Sequence, residues 1–223
     1  MVYLLEMEKY ALLNNIPIME KEGLEFLINY IKENKVKNIL EIGAAIGYSA
    51  INMALVSDEM KVFTIERDSK RYNEAVKNIK RCSLENKIII KKIDAFDIKI
   101  DNKYDLIFID AAKSQYIKFF EKFKQNLNKN GAIISDNLDF HGLVGKENEI
   151  KSRNVRGIVR KLKNYTEFLE SNEEFETIFY DIGDGIAVSI KKTWFFLKLW
   201  YNIPTYGGEL YVKVKFKRLR TSS

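Results

Sequence analysis

The hydrophobic positions of this chain change period several times. Over residues 20–33, Leu24, Leu27, Ile28 and Ile31 fall at i, i+3, i+4 and i+7. That spacing makes one apolar stripe and predicts an amphipathic helix. Beyond it, compact apolar runs alternate with helix-spaced segments. The runs predict strands at 38–42, 61–66, 88–92, 104–110 and 131–136, with helices at 48–56, 70–81 and 115–127 between them. Apolar runs of four or five residues, rich in Ile and Phe, read as buried parallel strands. The alternation argues for a parallel sheet with helices on both faces. A longer helix is expected over 152–171. Strands at 177–182 and 186–190 flank Gly183-Asp184-Gly185 and read as a hairpin, because glycine supplies the positive φ angles such a turn needs. No internal repeat or low-complexity stretch interrupts the pattern.

Two of the predicted strands end in oxygen-bearing side chains. In Phe108-Ile109-Asp110-Ala111-Ala112-Lys113 and Ile133-Ile134-Ser135-Asp136-Asn137, the acids Asp110 and Asp136 stand 26 residues apart. Ligand sites of open α/β sheets lie at the carboxyl ends of the strands, so Asp110, Asp136 and Asn137 should meet at one rim. Three hard oxygens with room left for water suit Mg²⁺. Lys113 lies near the same rim and could take a proton from a substrate hydroxyl. Taken singly, each residue reads first as a turn or cap residue. Their combination with a loop upstream reverses that weighting.

The loop is Asn38-Ile39-Leu40-Glu41-Ile42-Gly43-Ala44-Ala45-Ile46-Gly47-Tyr48-Ser49. Its glycines permit a sharp turn and a close approach of backbone to a ligand. The spacing is Gly-x-x-x-Gly rather than GxGxxG, and no Lys-Ser/Thr follows to make a phosphate-binding loop. A carboxylate at Glu41 repels pyrophosphate but attracts an ammonium or sulfonium, which points to S-adenosylmethionine rather than NAD. Twenty-five residues on, Val62-Phe63-Thr64-Ile65-Glu66 is a second strand ending in an acid, a placement that can bind the two ribose hydroxyls. Asp94-Ala95, after the strand at 88–92, completes the set.

The segments ILEIGAAIGYSA, TIERD, IDAAK and ISDN resemble the metal-dependent O-methyltransferases of the catechol and caffeoyl-coenzyme A type, over residues 8–191. Within that family, NNIPIMEKEGLEFL and VGKENEIKSRNVRGIVRKLKNYTEFL are most similar to the bacterial tRNA 5-hydroxyuridine methyltransferases, which make wobble 5-methoxyuridine. The resemblance implies a Rossmann-like S-adenosylmethionine methyltransferase fold, with a seven-stranded, mostly parallel sheet and a final antiparallel hairpin. It implies that Met19, Glu41, Gly43, Ser49, Glu66, Asp94, Ala95 and Asp110 line the S-adenosyl-L-methionine site. It places Asp110, Asp136 and Asn137 on Mg²⁺ and gives Lys113 and Asp110 the catalytic roles. It also implies a homodimer. Only about 18 residues precede Met19, fewer than the N-terminal helices that cover the cofactor and join the dimer in the family. The expected function is therefore methylation of 5-hydroxyuridine at the tRNA wobble position, with tRNA as partner; methylation of a small hydroxy-aromatic substrate and a non-catalytic binding module on this fold are the alternatives.

At 223 residues and 46% hydrophobic, the chain suits one α/β domain with a full core. The single cysteine, Cys82, excludes an internal disulfide and reads as a packing residue in a helical stretch. No long uncharged apolar run and no signal-peptide pattern is present, so a cytoplasmic protein is expected. The net charge is +6, but residues 193–223 hold six basic residues and one acid, leaving +1 for residues 1–192. The basic balance is therefore weak evidence for RNA binding by the domain. Arg153, Arg156 and Arg160 share one helix face, which alone reads equally as an RNA contact or a solvated surface, and the resemblance implies the RNA contact. His141, the only histidine, reads as a surface-loop residue. Tyr48 and Phe140 could stack on a substrate ring or pack in the core. The domain is expected to span 1–192, followed by an aromatic, basic extension at 193–223. The extension could be an added hairpin, a partner-binding arm, sequence not native to the gene, or a poorly ordered tail.

Overall fold

A computed structural model describes residues 2–139 and 150–192, so the readings made for Phe140, His141 and the extension from Thr193 lie outside the described residues. The strands are β1 (Asn38–Ile42), β2 (Lys61–Glu66), β3 (Ile88–Lys92), β4 (Tyr104–Ile109), β5 (Leu127–Ser135), β6 (Phe175–Tyr180) and β7 (Ile186–Lys191). The helices are α1 (Val2–Leu13), α2 (Lys21–Glu33), α3 (Tyr48–Ala54), α4 (Ser69–Arg81), α5 (Tyr116–Phe123) and α6 (Arg153–Glu170). The strands form one seven-stranded sheet in the order β3-β2-β1-β4-β5-β7-β6. β1 to β5 run parallel, and β7 lies antiparallel between β5 and β6.

Alternation along the strands divides the core into two layers. Ile39, Val62, Leu106, Phe108 and Ile134 face a layer shared with α1, α2 and α3. Leu40, Ile42, Ile107, Ile109 and Ile133 face α5 and α6. Leu106, Ile107, Phe108 and Ile109 are fully buried, each contributing about 1.5–3 kcal/mol relative to exposure. This two-sided burial is why β4 reads as a continuous apolar run. On α6, Val159, Leu162, Tyr165 and Leu169 turn inward, and Ser152 caps its start by accepting from the Val155 N–H at 3.4 Å.

The strand order reverses between β1 and β4, which opens the crevice of a doubly wound sheet at the strands' carboxyl ends. The register then places the acids. Ile109 lies opposite Ser135, so Asp110 and Asp136 leave adjacent strands side by side, and the Asp136 N–H donates to the Ile109 carbonyl at 3.2 Å.

Three features depart from the sequence reading. α1 is a full helix that the periodicity does not reveal. Its apolar residues point several ways, with Met7 and Ala11 buried and Leu5, Leu12 and Leu13 exposed. α5 ends at Phe123, and β5 begins at Leu127 rather than 131. The buried Leu127 pairs with Tyr104 across a register shift, hiding the strand's start behind the polar Asn128-Lys129-Asn130. β6 runs over Phe175–Tyr180, two residues earlier than the expected 177–182, so Asp181 and Ile182 belong to the turn, while Cys82 at the C-cap of α4 packs against the core as expected.

Candidate functional site

The loop after β1 is hooked onto β2. The Gly43 and Ala44 N–H groups both donate to the Ile65 carbonyl at 3.0 Å, and the Ala45 N–H donates to Glu66 Oε2 at 2.9 Å. Glu66 accepts on its other oxygen from the Asp68 N–H at 2.8 Å, so one buried carboxylate joins the loops after β1 and β2. Gly43 has φ 104°, and a Cβ there would lie 2.1 Å from the Asp110 carbonyl. A side chain would push β1 and β4 apart at the crevice, so glycine is required.

Glu41 lies fully buried beneath this loop. Its oxygens accept from the hydroxyls of Ser49 and Thr64. Thr64 is its lateral neighbour on β2. Burial pushes the Glu41 carboxyl up to about 7; the two hydroxyl bonds pull it down, and the charges of Asp110 and Glu66 push it further up. Ser49 spends its only proton on Glu41, which leaves its oxygen lone pairs for other donors. Asp94 keeps a third of its side chain exposed and accepts from the Phe96 N–H at 2.9 Å and Arg67 Nη1 at 3.3 Å. The Phe96 bond holds its carboxyl below the usual range. Ala95 is buried beside it.

The β4–β5 side is less compensated. Lys113 Nζ lies 3.7 Å from Asp110 Oδ1. Burial raises the Asp110 carboxyl; the Lys113 charge and hydrogen bond oppose that rise, and the Asp184 charge adds to it. Burial and the Asp110 charge push Asp136 up to about 8, against a backbone hydrogen bond from Asn137. Asn137 follows with φ 68°. Met19 is buried against Gly23 on α2: a Cβ on Gly23 would lie 3.2 Å from Met19 Cε and 3.8 Å from Asp136 Oδ1. The rim thus brings Met19, Asp110, Lys113, Asp136 and Asn137 into one region, with Glu41, Ser49 and Glu66 across the crevice.

Among the described residues, no three His, Cys, Asp or Glu side chains form a metal-holding group. The expected set is two carboxylates and one amide. Tyr48 does not present a free stacking face: it is buried, and its hydroxyl donates to Glu8 Oε1 at 2.6 Å. Arg153, Arg156 and Arg160 are exposed on α6, which packs against the 3₁₀ turn Lys113–Gln115. A cleft of about 470 Å³ lined by Tyr30, Asn34, Lys35, Asp105 and Asn128 lies at the strands' opposite ends and holds none of the candidate residues.

Sequence reasoning missed two members of the site. Thr64 was hidden by its β propensity; its position opposite Glu41 emerges only with the β1–β2 register. Asp184, in the β6–β7 turn, is buried and acts electrostatically on both Asp110 and Asp136. The Gly-Asp-Gly signal was visible but was read as turn chemistry alone.

Comparison with known proteins gives this arrangement a lineage. A family model described as O-methyltransferase matches residues 2–192. A catechol O-methyltransferase of Niastella koreensis is 32% identical over 71% of this chain and 75% of its own length. A caffeoyl-CoA O-methyltransferase of Populus kitakamiensis is 28% identical over 81% of this chain and 80% of its own. Among solved structures, a Staphylococcus aureus protein provisionally named a caffeoyl-CoA O-methyltransferase superposes with a TM-score of 0.82 at 40% identity, covering 85% of this chain and 92% of that one. A Bacillus cereus O-methyltransferase in complex with SAH gives 0.74 at 25% identity, over 86% and 91%. With a matching family model over nearly all the described residues and a sheet of the same architecture, the chain belongs to the O-methyltransferase family.

Proposed function

We propose that this enzyme transfers a methyl group from S-adenosylmethionine to a ring hydroxyl that has a second oxygen beside it, on a small hydroxy-aromatic substrate of the catechol or caffeoyl type. The observation that carries the reading is the pairing of Asp110 and Asp136 at adjacent strand ends, with Lys113 3.7 Å from Asp110.

The residues fit both groups the reading needs. Each Glu66 oxygen has one backbone donor and keeps acceptor capacity for a ribose hydroxyl. Glu41 fixes the Ser49 hydroxyl and places a carboxylate under the loop where a cationic methyl donor would lie. Burial raises both Asp110 and Asp136, with the Asp110 charge adding to the rise at Asp136 and the Asp184 charge at both, an environment a divalent cation relieves. Asp110, Asp136 and Asn137 would hold Mg²⁺, which when bound supplies acidity to a coordinated hydroxyl. Lys113 is placed to accept the hydroxyl proton when its amine is neutral, becoming the ammonium that Asp110 then faces at 3.7 Å. The loop after β1 positions the donor for in-line displacement, where alignment supplies much of the rate.

A second reading is favoured by the exposed arginines of α6. 5-Hydroxyuridine offers the same oxygen pair through its O5 hydroxyl and O4 carbonyl, and Arg153, Arg156 and Arg160 could hold tRNA phosphates beside the Lys113 turn. The deciding assay compares wild type with the triple Ala variant on a catechol and on hypomodified tRNA. We expect catechol turnover, abolished by chelator, restored by Mg²⁺ and indifferent to the arginines. Turnover of tRNA alone, with a log–log salt slope that falls by about 1 per arginine removed, would replace this reading with the tRNA one. Full activity in chelator would refute the metal assignment.

A further inference from the structure

Asp136 and Asn137 sit on a segment with an unusual backbone. Asn137 has φ 68°, a left-handed conformation that Asn tolerates better than most residues. On its N-terminal side the chain is fastened twice: the Asp136 N–H donates to the Ile109 carbonyl at 3.2 Å, and the Tyr116 hydroxyl donates to the Asp136 carbonyl at 3.0 Å. On its C-terminal side both fastenings come from the β6–β7 turn. The Leu138 N–H donates to the Gly185 carbonyl at 3.0 Å, and the Asp139 N–H donates to the Asp184 carbonyl at 2.7 Å.

These outward bonds are not needed to close the hairpin. Closure is provided within it, by the Gly185 N–H donating to Ile182 at 3.0 Å and by the Tyr180–Ile186 pair. The close approach has its own requirement. Gly185 has φ 84°, and a Cβ there would lie 3.0 Å from the Asp139 nitrogen and 3.2 Å from the Asp139 Cβ. The turn also touches α2: a Cβ on Gly183 would lie 3.4 Å from the Gly23 nitrogen. The turn thus touches both the segment that follows Asn137 and α2, whose Gly23 borders the Asp136 carboxylate.

We propose that the β6–β7 turn is a positioning element for a divalent cation at the rim: its carbonyls at 184 and 185 hold Asn137 in the left-handed conformation, and the buried Asp184 adds a third negative charge to Asp110 and Asp136. The inference rests on reading Asp110, Asp136 and Asn137 as the cation's ligands. It assigns Asp184 and Gly185 a role in metal affinity, apart from the methyl donor.

The test uses the full chain, Mn²⁺ as the probe and the variants Gly185→Ala and Asp184→Asn. Bound Mn²⁺ is read by the loss of the free-ion electron paramagnetic resonance signal. S-adenosylhomocysteine affinity is read by calorimetry, and folding by thermal melting. Each variant should bind Mn²⁺ about tenfold more weakly, within the range for groups that orient metal ligands. S-adenosylhomocysteine affinity should stay within about twofold, as for independent sites. Asp184→Asn preserves shape and backbone carbonyl, so it carries the test if Gly185→Ala does not fold. Wild type that binds Mn²⁺ with an Asp184→Asn variant that binds it equally well overturns this inference and leaves the proposed function standing. Equal losses of Mn²⁺ and S-adenosylhomocysteine affinity also overturn it, since they mark a general structural role. Wild type that binds no Mn²⁺ overturns the metal reading and this inference together.

Discussion

The two walls of the crevice carry the same kind of residue with different partners. On the β1–β2 side, Glu41 and Glu66 each accept two hydrogen bonds from fixed protein donors. On the β4–β5 side, Asp110 and Asp136 face each other and Asp184, with Lys113 as the nearby cation. A carboxylate with its donors in place is a structural tie as well as a ligand. A carboxylate beside another is a charge waiting for a counter-ion. The lesson is that an acid at a strand's end does not announce its role; the donors around it do.

The widest separation between the walls comes from deleting one acid on each. Asp136→Ala should lower turnover by about 10³-fold, equivalent to several kcal/mol of transition-state stabilisation. S-adenosylhomocysteine binding should change little, and the ligand-free melting temperature should hold or rise because a repelling charge is gone. Glu66→Ala should do the reverse. It should weaken S-adenosylhomocysteine binding by roughly 1.5–3 kcal/mol, the range for hydrogen bonds to charged groups. It should also lower the melting temperature, since the Ala45 and Asp68 N–H groups lose their acceptor. Calorimetry and melting of both variants check the pair; equal behaviour would erase the distinction.

An effect of similar size, but one that appears only as pH changes, concerns Glu41, whose folded carboxyl stands at about 7 against an ordinary 4.5. The folded state therefore binds the extra proton between those values, so this group's contribution is most favourable at low pH and is lost as pH rises towards 7. Above that the ionised form costs the ligand-free protein on the order of 3 kcal/mol. Glu41→Gln lacks the cost. Its stability relative to wild type should be flat below about pH 4.5 and rise between there and about pH 7. A difference that ignores pH would mean Ser49 and Thr64 already keep the ionised form comfortable.

The sheet was legible where side chains on both faces are apolar. β1 and β2 appear at their predicted limits around runs buried on both faces, and β3 does so on its Ile88-Ile89-Ile90 run although Ile89, Lys91 and Lys92 are exposed. α2 was legible because its stripe is regular. β5 was legible only from Gly131 onward, since its first residues are a polar edge opposite a bulge. α1 was hidden because it is apolar on more than one side. The acids at strand ends could be found from position alone, but their environments could not. Thr64 and Asp184 reach the site through register and turn packing, and neither leaves a periodic trace.

The β1–β4 pairing that makes the crevice also sets how the site comes into being. β1 and β2 are joined across 23 residues at Glu41 and Thr64, and β4 and β5 across 26 at Ile109 and Ser135. Each wall is thus a local unit of strand, helix and strand. The walls themselves meet through contacts such as the Asn38 N–H on Asp105, spanning 67 residues. Closing the longer loop costs more chain entropy and comes with slower, non-local ordering. Neither wall contains the other, so a nascent or partly unfolded molecule has halves but no crevice. A ligand that touches both walls would bind the finished fold alone, and its concentration would then pull the folding equilibrium towards the native state.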